Sequence, residues 1–147
     1  MNIDGCIKLL KGRISSLLIY DEIEQDLIKF ASKVLELNDD ANSIILTKVL
    51  IEKIIKEYGI ELNYLKIITA LTHPDVDFLR LEYLLFIDDE SIELSNEDMQ
   101  RAYDLGFLRN PKDPDLIIEN YMELVAPIFL ISKNFIKEIS QGKTNGY

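Results

Sequence analysis

Six carboxylates and no basic residue fall within positions 86–99 of the sequence, a stretch termed here the acidic segment. They are Asp88, Asp89, Glu90, Glu93, Glu97 and Asp98. Carboxylates this dense could ligate calcium, carry out acid–base catalysis or dock a basic partner. Alternatively, the acidic segment is a solvated connection between elements and has no function of its own. Spacing and context distinguish these readings.

The spacing of the carboxylates does not match a calcium-binding EF-hand loop. An EF-hand loop needs oxygen ligands at its positions 1, 3 and 5, glycine at 6 and glutamate at 12. Counting from Asp88 places Ile92 at the fifth position and Glu93 at the sixth. Counting from Asp89 places Leu94 at the sixth. Neither start supplies the glycine, so no metal site is predicted.

The residues suited to catalysis are few. A carboxylate pair for acid–base work needs one buried acid, and six acids in an exposed-looking turn do not indicate one. The chain has one cysteine, Cys6, and one histidine, His73. Nothing in the sequence brings them together, and the six glycines form no phosphate-binding motif. We therefore predict a non-enzymatic protein with no catalytic residue, metal or cofactor.

Composition and charge narrow the class of partner. The chain has 147 residues, with 26 acids against 16 bases and a formal charge of −10. That charge disfavours nucleic acid and anionic membranes, which both attract Lys and Arg. The N-terminus lacks a secretory pattern, and the apolar run at 124–132 is far shorter than the ~20 residues of a membrane span. We expect a cytoplasmic protein whose single cysteine forms no intrachain disulfide.

Apolar spacing predicts a mainly α fold, a compact single-domain multi-helix bundle over 1–140 with a flexible tail at 141–147. A capping box at Ser95 and Asp98 and a glycine at Gly106 frame one helix. The other helices are expected to begin at Asp4, Asp21, Asn42 or Ser43, Asn63 and Thr72, with a last helical region from Ile117 to Ile136, kinked or split at Pro127.

The stretch 76–87 fits two structures. The sequence Thr72-His73-Pro74-Asp75 resembles a helix start and favours a helix, whereas the alternation after Leu79 partly fits a strand. We therefore expect no more β structure than a minor β element near 79–94. A winged helix is an alternative, but its recognition helix would carry Lys66 as its one base, which is poor for reading DNA.

Charge is polarised along the chain. Positions 75–104 hold ten acids and two bases, most of the excess of the whole chain. Tyr83, Phe86 and Tyr103 lie among them and could anchor a partner inside a charged rim, or pack as ordinary core. The predicted partner-binding set is the six acids of the acidic segment with these three aromatic residues.

These features predict a protein-binding module that masks a basic protein partner, as a small inhibitor of the immunity or antitoxin type or a phage-type charge mimic does. One alternative is a structural or scaffolding subunit that oligomerises through apolar helix faces such as the stripe from Ile44 to Ile55. Another is an enzyme or ligand-binding domain whose pocket holds Cys6 or His73 near carboxylates. The oligomeric state is left open.

Overall fold

The computed structural model describes residues 1–144, with side chains through Gln141. Over this range the chain forms seven α-helices, six strands and a short 3₁₀ turn at Ala41–Ser43. The helices are α1 (Ile3–Ser15), α2 (Asp21–Leu35), α3 (Lys48–Glu57), α4 (Tyr64–Leu71), α5 (Asn96–Leu105), α6 (Tyr121–Leu124) and α7 (Lys133–Thr144). The strands are β1 (Ile45–Leu46), β2 (Leu79–Ile87), β3 (Glu90–Leu94), β4 (Leu108–Asn110), β5 (Asp113–Ile118) and β6 (Val125–Ile131).

The prediction of a mainly α bundle is wrong, because the chain mixes helices with two sheets. A four-stranded antiparallel sheet has the order β1-β6-β2-β3, and β4 and β5 form a separate two-stranded sheet. The apolar runs at 116–118 and 125–131 are short enough to fit either a helix or a strand by spacing. They pair as strands, and the expected last helix is confined to α6 and α7.

The chain divides into two compact units. Unit 1 comprises Met1–Arg80 and the chain from Phe129 onward, and unit 2 is the continuous stretch Leu81–Ile128. A compact unit is not by itself an independently folding domain, so the single domain over 1–140 stays a prediction. Helix α7 includes positions 141–144 of the expected tail, and 145–147 lie outside the described residues.

Unit 1 has a core built by its helices and by the turn that follows α4. Phe78 and Phe135 are fully buried and meet edge to face, with ring centroids 5.0 Å apart. Arg13 of α1 donates through Nη1 to the carbonyl oxygens of Val76 at 2.9 Å and Asp77 at 3.2 Å. Its Nη2 pairs with Glu138 of α7. Arg13 thus joins α1, α7 and the turn.

The residues expected to start a helix at 72 instead end one and make a turn. Thr72 is the C-cap of α4, and its hydroxyl donates to the Ile68 carbonyl. The backbone N–H groups of Val76 and Asp77 both donate to the His73 carbonyl, and Asp77 has φ +45°. The Asp77 bond has the i→i−4 spacing of an α-helix, but the left-handed backbone at Asp77 stops a helix from continuing. The chain then enters β2, so the helical reading of 76–87 is wrong.

Two further boundaries differ from prediction. The helix expected from Asn42 or Ser43 begins at Lys48, capped by Thr47, and leaves Ile45 in β1. The expected apolar stripe from Ile44 to Ile55 is therefore not one helix face. Pro127 lies in β6 and is exposed, outside the two residue pairs that join β6 to β1. The kink or split expected at Pro127 therefore falls within a strand, not within a helix.

Unit 2 is assembled around one apolar cluster. The β2–β3 hairpin, α5, the β4–β5 hairpin and α6 each contribute a side chain to it. Its buried members are Leu85, Ile92, Leu94, Ala102, Leu108, Ile118 and Tyr121. The period-2 alternation of β2 and β3 supplies Leu85, Ile92 and Leu94 from one face of the hairpin. This cluster fixes the elements that carry the acidic segment.

Candidate protein-docking surface

The acidic segment is a β-hairpin followed by a helix start. Five residue pairs join β2 to β3, from Tyr83 opposite Leu94 to Ile87 opposite Glu90. This register leaves Asp88 and Asp89 as a two-residue turn with φ +48° and +63°. Positive φ at both central residues defines a type I′ turn, which matches the twist of the flanking strands. The turn places two carboxylates at the exposed hairpin tip.

The hairpin divides the predicted aromatic residues between its two faces. Tyr83 points to the same side as the core residue Leu85 and packs against the unit 2 cluster. Phe86 lies on the opposite face with Glu93 and is 48% exposed. Tyr83 and Phe86 therefore cannot belong to one continuous contact patch on one face of the hairpin.

The rest of the acidic segment leads into α5. Ser95 and Asp98 form the predicted capping box: the Ser95 hydroxyl accepts from the Asp98 N–H at 3.0 Å, and the Asp98 carboxylate accepts from the Ser95 N–H at 3.1 Å. The cap stabilises the helix start by about 1 kcal/mol. Asp98 thus has a structural role, whereas Glu97 beside it is exposed. Gly106 ends the helix with φ +81°, as predicted.

Glu90 is the one member of the predicted set with an ion pair among the described contacts. Lys112, in the turn between β4 and β5, places Nζ 3.3 Å from a Glu90 carboxylate oxygen. Both side chains are about 60% exposed, so the pair adds little to stability. It brings one base close to the hairpin tip and leaves the carboxylates of the turn facing solvent.

A groove in unit 2 gathers aromatic and methionine side chains that the sequence did not bring together. Its volume is about 480 Å³. It is lined by Tyr83, Asn96, Met99, Gln100, Tyr103, Tyr121 and Met122, and is termed here the tyrosine–methionine groove. Of the predicted set, Tyr83 and Tyr103 line this groove. Tyr121 and Met122 were missed because the β4–β5 hairpin between α5 and α6 was not predicted.

Negative charge is concentrated in unit 2. By sequence, its 48 residues carry twelve carboxylates and three bases, a formal charge of −9 out of the chain's −10. Unit 1, with fourteen carboxylates and thirteen bases, is close to neutral. The polarisation seen along the sequence thus coincides with a division of the fold.

The residues considered for catalysis lie in unit 1. Cys6 is buried and lines a cavity of about 250 Å³, with Asp39 and Asp40 also on its wall. Asp40 accepts from the Asn42 N–H and the Ser43 hydroxyl, both at 3.0 Å, and these bonds lower the pKa of its carboxyl. His73 Nδ1 accepts from the Asp75 N–H in the turn after α4. These hydrogen bonds give Asp40 and His73 structural roles.

Metal-binding clusters and membrane-spanning helices are both absent from the described residues. Within residues 1–144, no group of three or more His, Cys, Asp or Glu side chains is placed to hold a metal ion. Over the same range no helix is both long and apolar enough to cross a membrane. Comparison with protein-family models, curated proteins and solved structures finds no match to this chain.

Proposed function

We propose that unit 2 docks a basic protein partner and that the protein acts by masking this partner's positive surface. The observation that carries the proposal is the charge of −9 confined to the 48 residues of unit 2. A field of one sign speeds encounter with an oppositely charged partner and orients it. The function needs a complementary surface and no catalytic group, which fits a small cytoplasmic inhibitor of the immunity, antitoxin or charge-mimic type.

The position of the carboxylates supports this function. Asp88, Asp89, Glu90, Glu93 and Glu97 are all exposed, so a partner can reach them without unfolding the hairpin. The turn aspartates occupy left-handed positions that Asn-Gly would fill at lower cost. Backbone strain that persists at exposed charged residues supports the hypothesis that these residues have a function. The masking surface we propose is centred on this hairpin tip.

The experiment captures partners from a lysate of the source organism on the immobilised protein, at low and at high salt. A variant with Asp88→Asn, Asp89→Asn, Glu90→Gln and Glu93→Gln, termed here the tip variant, is run beside it. A matched control removes four exposed acids of unit 1 through Glu22→Gln, Asp39→Asn, Glu57→Gln and Glu61→Gln. Both variants change the net charge equally.

A basic protein held by the native chain and by the control, but lost with the tip variant and at high salt, is the expected result. Screening over about 8 Å at physiological ionic strength explains the salt sensitivity. Equal loss with both variants would mean that net charge alone acts, and unchanged capture by the tip variant would reject the docking surface.

A second candidate function rests on the cavity in unit 1. Its volume of about 250 Å³ is below the roughly 300–1,000 Å³ of most small-molecule sites, but its wall carries Cys6 and two aspartates. This is the arrangement that a ligand-binding alternative requires. Thermal shift in a metabolite library tests it: a ligand that stabilises the native chain and not a Cys6→Leu variant would favour that function over docking.

A further inference from the structure

The tyrosine–methionine groove has a fixed floor and an exposed lip. Tyr121 is 7% exposed and belongs to the unit 2 core, and Tyr83 packs against the same core. Tyr103 is 78% and Met122 72% exposed. A single exposed apolar side chain needs no explanation. Two large exposed side chains that line one groove together with two further tyrosines indicate a contact site. Tyr and Met are also the residue types enriched in protein interfaces.

The chemistry of the lining favours a cation. Of the described residues that line the groove, none is charged, and two carry amide groups. Three of the others are tyrosines, whose ring faces attract Arg and Lys. The methionine thioethers are polarisable and adapt to the shape of an inserted side chain. An anionic or purely aliphatic occupant would make less use of this lining.

The surroundings of the groove add negative charge. Asp104 accepts a hydrogen bond from the groove residue Gln100 at 3.2 Å, and Glu123 directly follows Met122. The nearest base in sequence, Arg101, instead lines a separate small cavity with Asp98 and Arg109. An arriving cation therefore meets the Asp104 carboxylate beside the groove, within a unit that carries −9.

We infer that the tyrosine–methionine groove receives an arginine side chain of a basic protein segment. Arginine suits the groove better than lysine because its planar guanidinium stacks on aromatic rings while donating to carboxylate and amide oxygens. The inference rests on the proposed docking function and adds the anchor to it: the carboxylates of the hairpin tip attract the partner, and the groove holds one of its side chains.

The chain's three methionines provide the readout. Met99 and Met122 line the groove, and Met1 lies in unit 1. With ¹³C-methyl methionine, the full chain is titrated with acetylated, amidated tetra-arginine and with tetra-glutamine of the same form. Tetra-arginine is expected to shift the Met99 and Met122 methyl signals saturably and to leave Met1 in place. Tetra-glutamine is expected to shift none of the three.

Two matched variants test the anchor. Tyr103→Ala is expected to weaken tetra-arginine binding about fivefold, since an exposed ring loses its cation contact. Tyr20→Ala in unit 1, where the side chain is 77% exposed, is expected to leave binding unchanged. Circular dichroism of both variants checks that each remains folded.

Several results would overturn the inference. These are no saturable shift of the two groove methyls, equal shifts with tetra-glutamine, native affinity in Tyr103→Ala, or the same shifts on raising protein concentration without peptide, which would identify a second copy as the occupant. If the groove methyls do not respond to tetra-arginine but the native chain still captures a basic, salt-sensitive partner from lysate, the docking function stands and the groove anchor fails. If the methyls respond as expected but no such partner is captured, the docking function fails instead.

Discussion

Arg13 shows at the residue scale how one side chain joins distant parts of unit 1. Its guanidinium serves two backbone carbonyls and Glu138, and it lies 5.2 Å from the centre of the Phe135 ring. The carbonyl bonds matter more than the ion pair, because Arg13 is largely covered whereas Glu138 is 53% exposed. Nothing in the sequence around Arg13 marks it as an anchor, since its partners are 63 to 125 residues away.

Arg13→Met is therefore expected to lower the free energy of unfolding by about 2 kcal/mol, as the carbonyls of Val76 and Asp77 lose a charged donor. Urea denaturation measures it. Lys8→Met on the exposed face of α1 should change it by less than about 0.5 kcal/mol. Glu138→Gln should cost far less than Arg13→Met. A loss as large in Glu138→Gln would assign the stabilisation to the ion pair instead.

Asp40 provides a second residue-scale test. The Ser43 hydroxyl and the Asn42 N–H lower the pKa of its carboxyl, with the Ser43 bond as the larger cause. A lowered folded-state pKa means that the ionised form stabilises the fold at pH above about 3.9, and that this contribution is lost as the pH falls through the folded pKa.

In an NMR titration, Ser43→Ala should raise the pKa of Asp40 toward its ordinary value. Thr47→Ala removes a capping hydroxyl from α3 and should leave that pKa where it is. An unchanged pKa in Ser43→Ala would show that the hydroxyl bond does not hold the carboxylate.

At the element scale, local chemistry predicted several helix ends but failed at the starts expected from Asn42 or Ser43 and from Thr72, and it failed on strands. Ser95 and Asp98, Asn63 and Gly106 were identified because a cap depends on residues within one turn of one another. Gly59 follows the same rule, with φ +64° and the Ile60 N–H donating to the Ile55 carbonyl. Strand pairing depends on remote residues: Ile45 lies opposite Leu130. An apolar run does not reveal such a partner, so β6 and the last two residues of β5, Ile117 and Ile118, were interpreted as helix.

The candidate site follows the same division. Its acids could be found from sequence because they lie close together in the chain, and its capping residue Asp98 because the box is local. The groove could not, because Tyr103 and Met122 meet through the fold of unit 2 and the intervening strands were missed. Phe86 was grouped with Tyr83 from their proximity in sequence. A strand interpretation of β2 would have separated them, since residues three apart point to opposite faces.

The I′ turn of the β2–β3 hairpin provides the element-scale prediction. Asp88→Asn with Asp89→Gly supplies the dipeptide that this turn prefers and should raise the free energy of unfolding by about 1 kcal/mol. Asp88→Asn with Asp89→Asn removes the same charge but retains a side chain at the second position. Chemical denaturation measures the free energy of unfolding of both variants. If it rises equally in the two, the native turn is destabilised by carboxylate repulsion and not by its backbone conformation.

At the scale of the whole molecule, charge is divided unequally between the units. Twelve carboxylates against three bases in unit 2 repel one another, while unit 1 is nearly balanced. Such self-repulsion opposes a compact state, and salt screens it. A surface kept at this cost is consistent with a docking role, and it also makes a prediction that needs no partner.

The melting temperature should rise between roughly 0.01 M and 0.15 M sodium chloride, as screening shortens the reach of the repulsion from about 30 Å to about 8 Å. The tip variant should melt higher at low salt and gain less on salt addition. The unit 1 control variant should keep the native salt response. An equal rise of the melting temperature with salt in all three proteins would show that stability does not depend on which unit carries the charge.

The division of the chain also sets an order of events during synthesis. Unit 2 is continuous in sequence, whereas unit 1 needs both the first 80 residues and the chain from Phe129 onward. When the ribosome has added residue 128, every residue of unit 2 has been made, but Glu138, the α7 partner of Arg13, has not. Unit 2 therefore has all of its residues before unit 1 does, and unit 1 cannot close until α7 has been made.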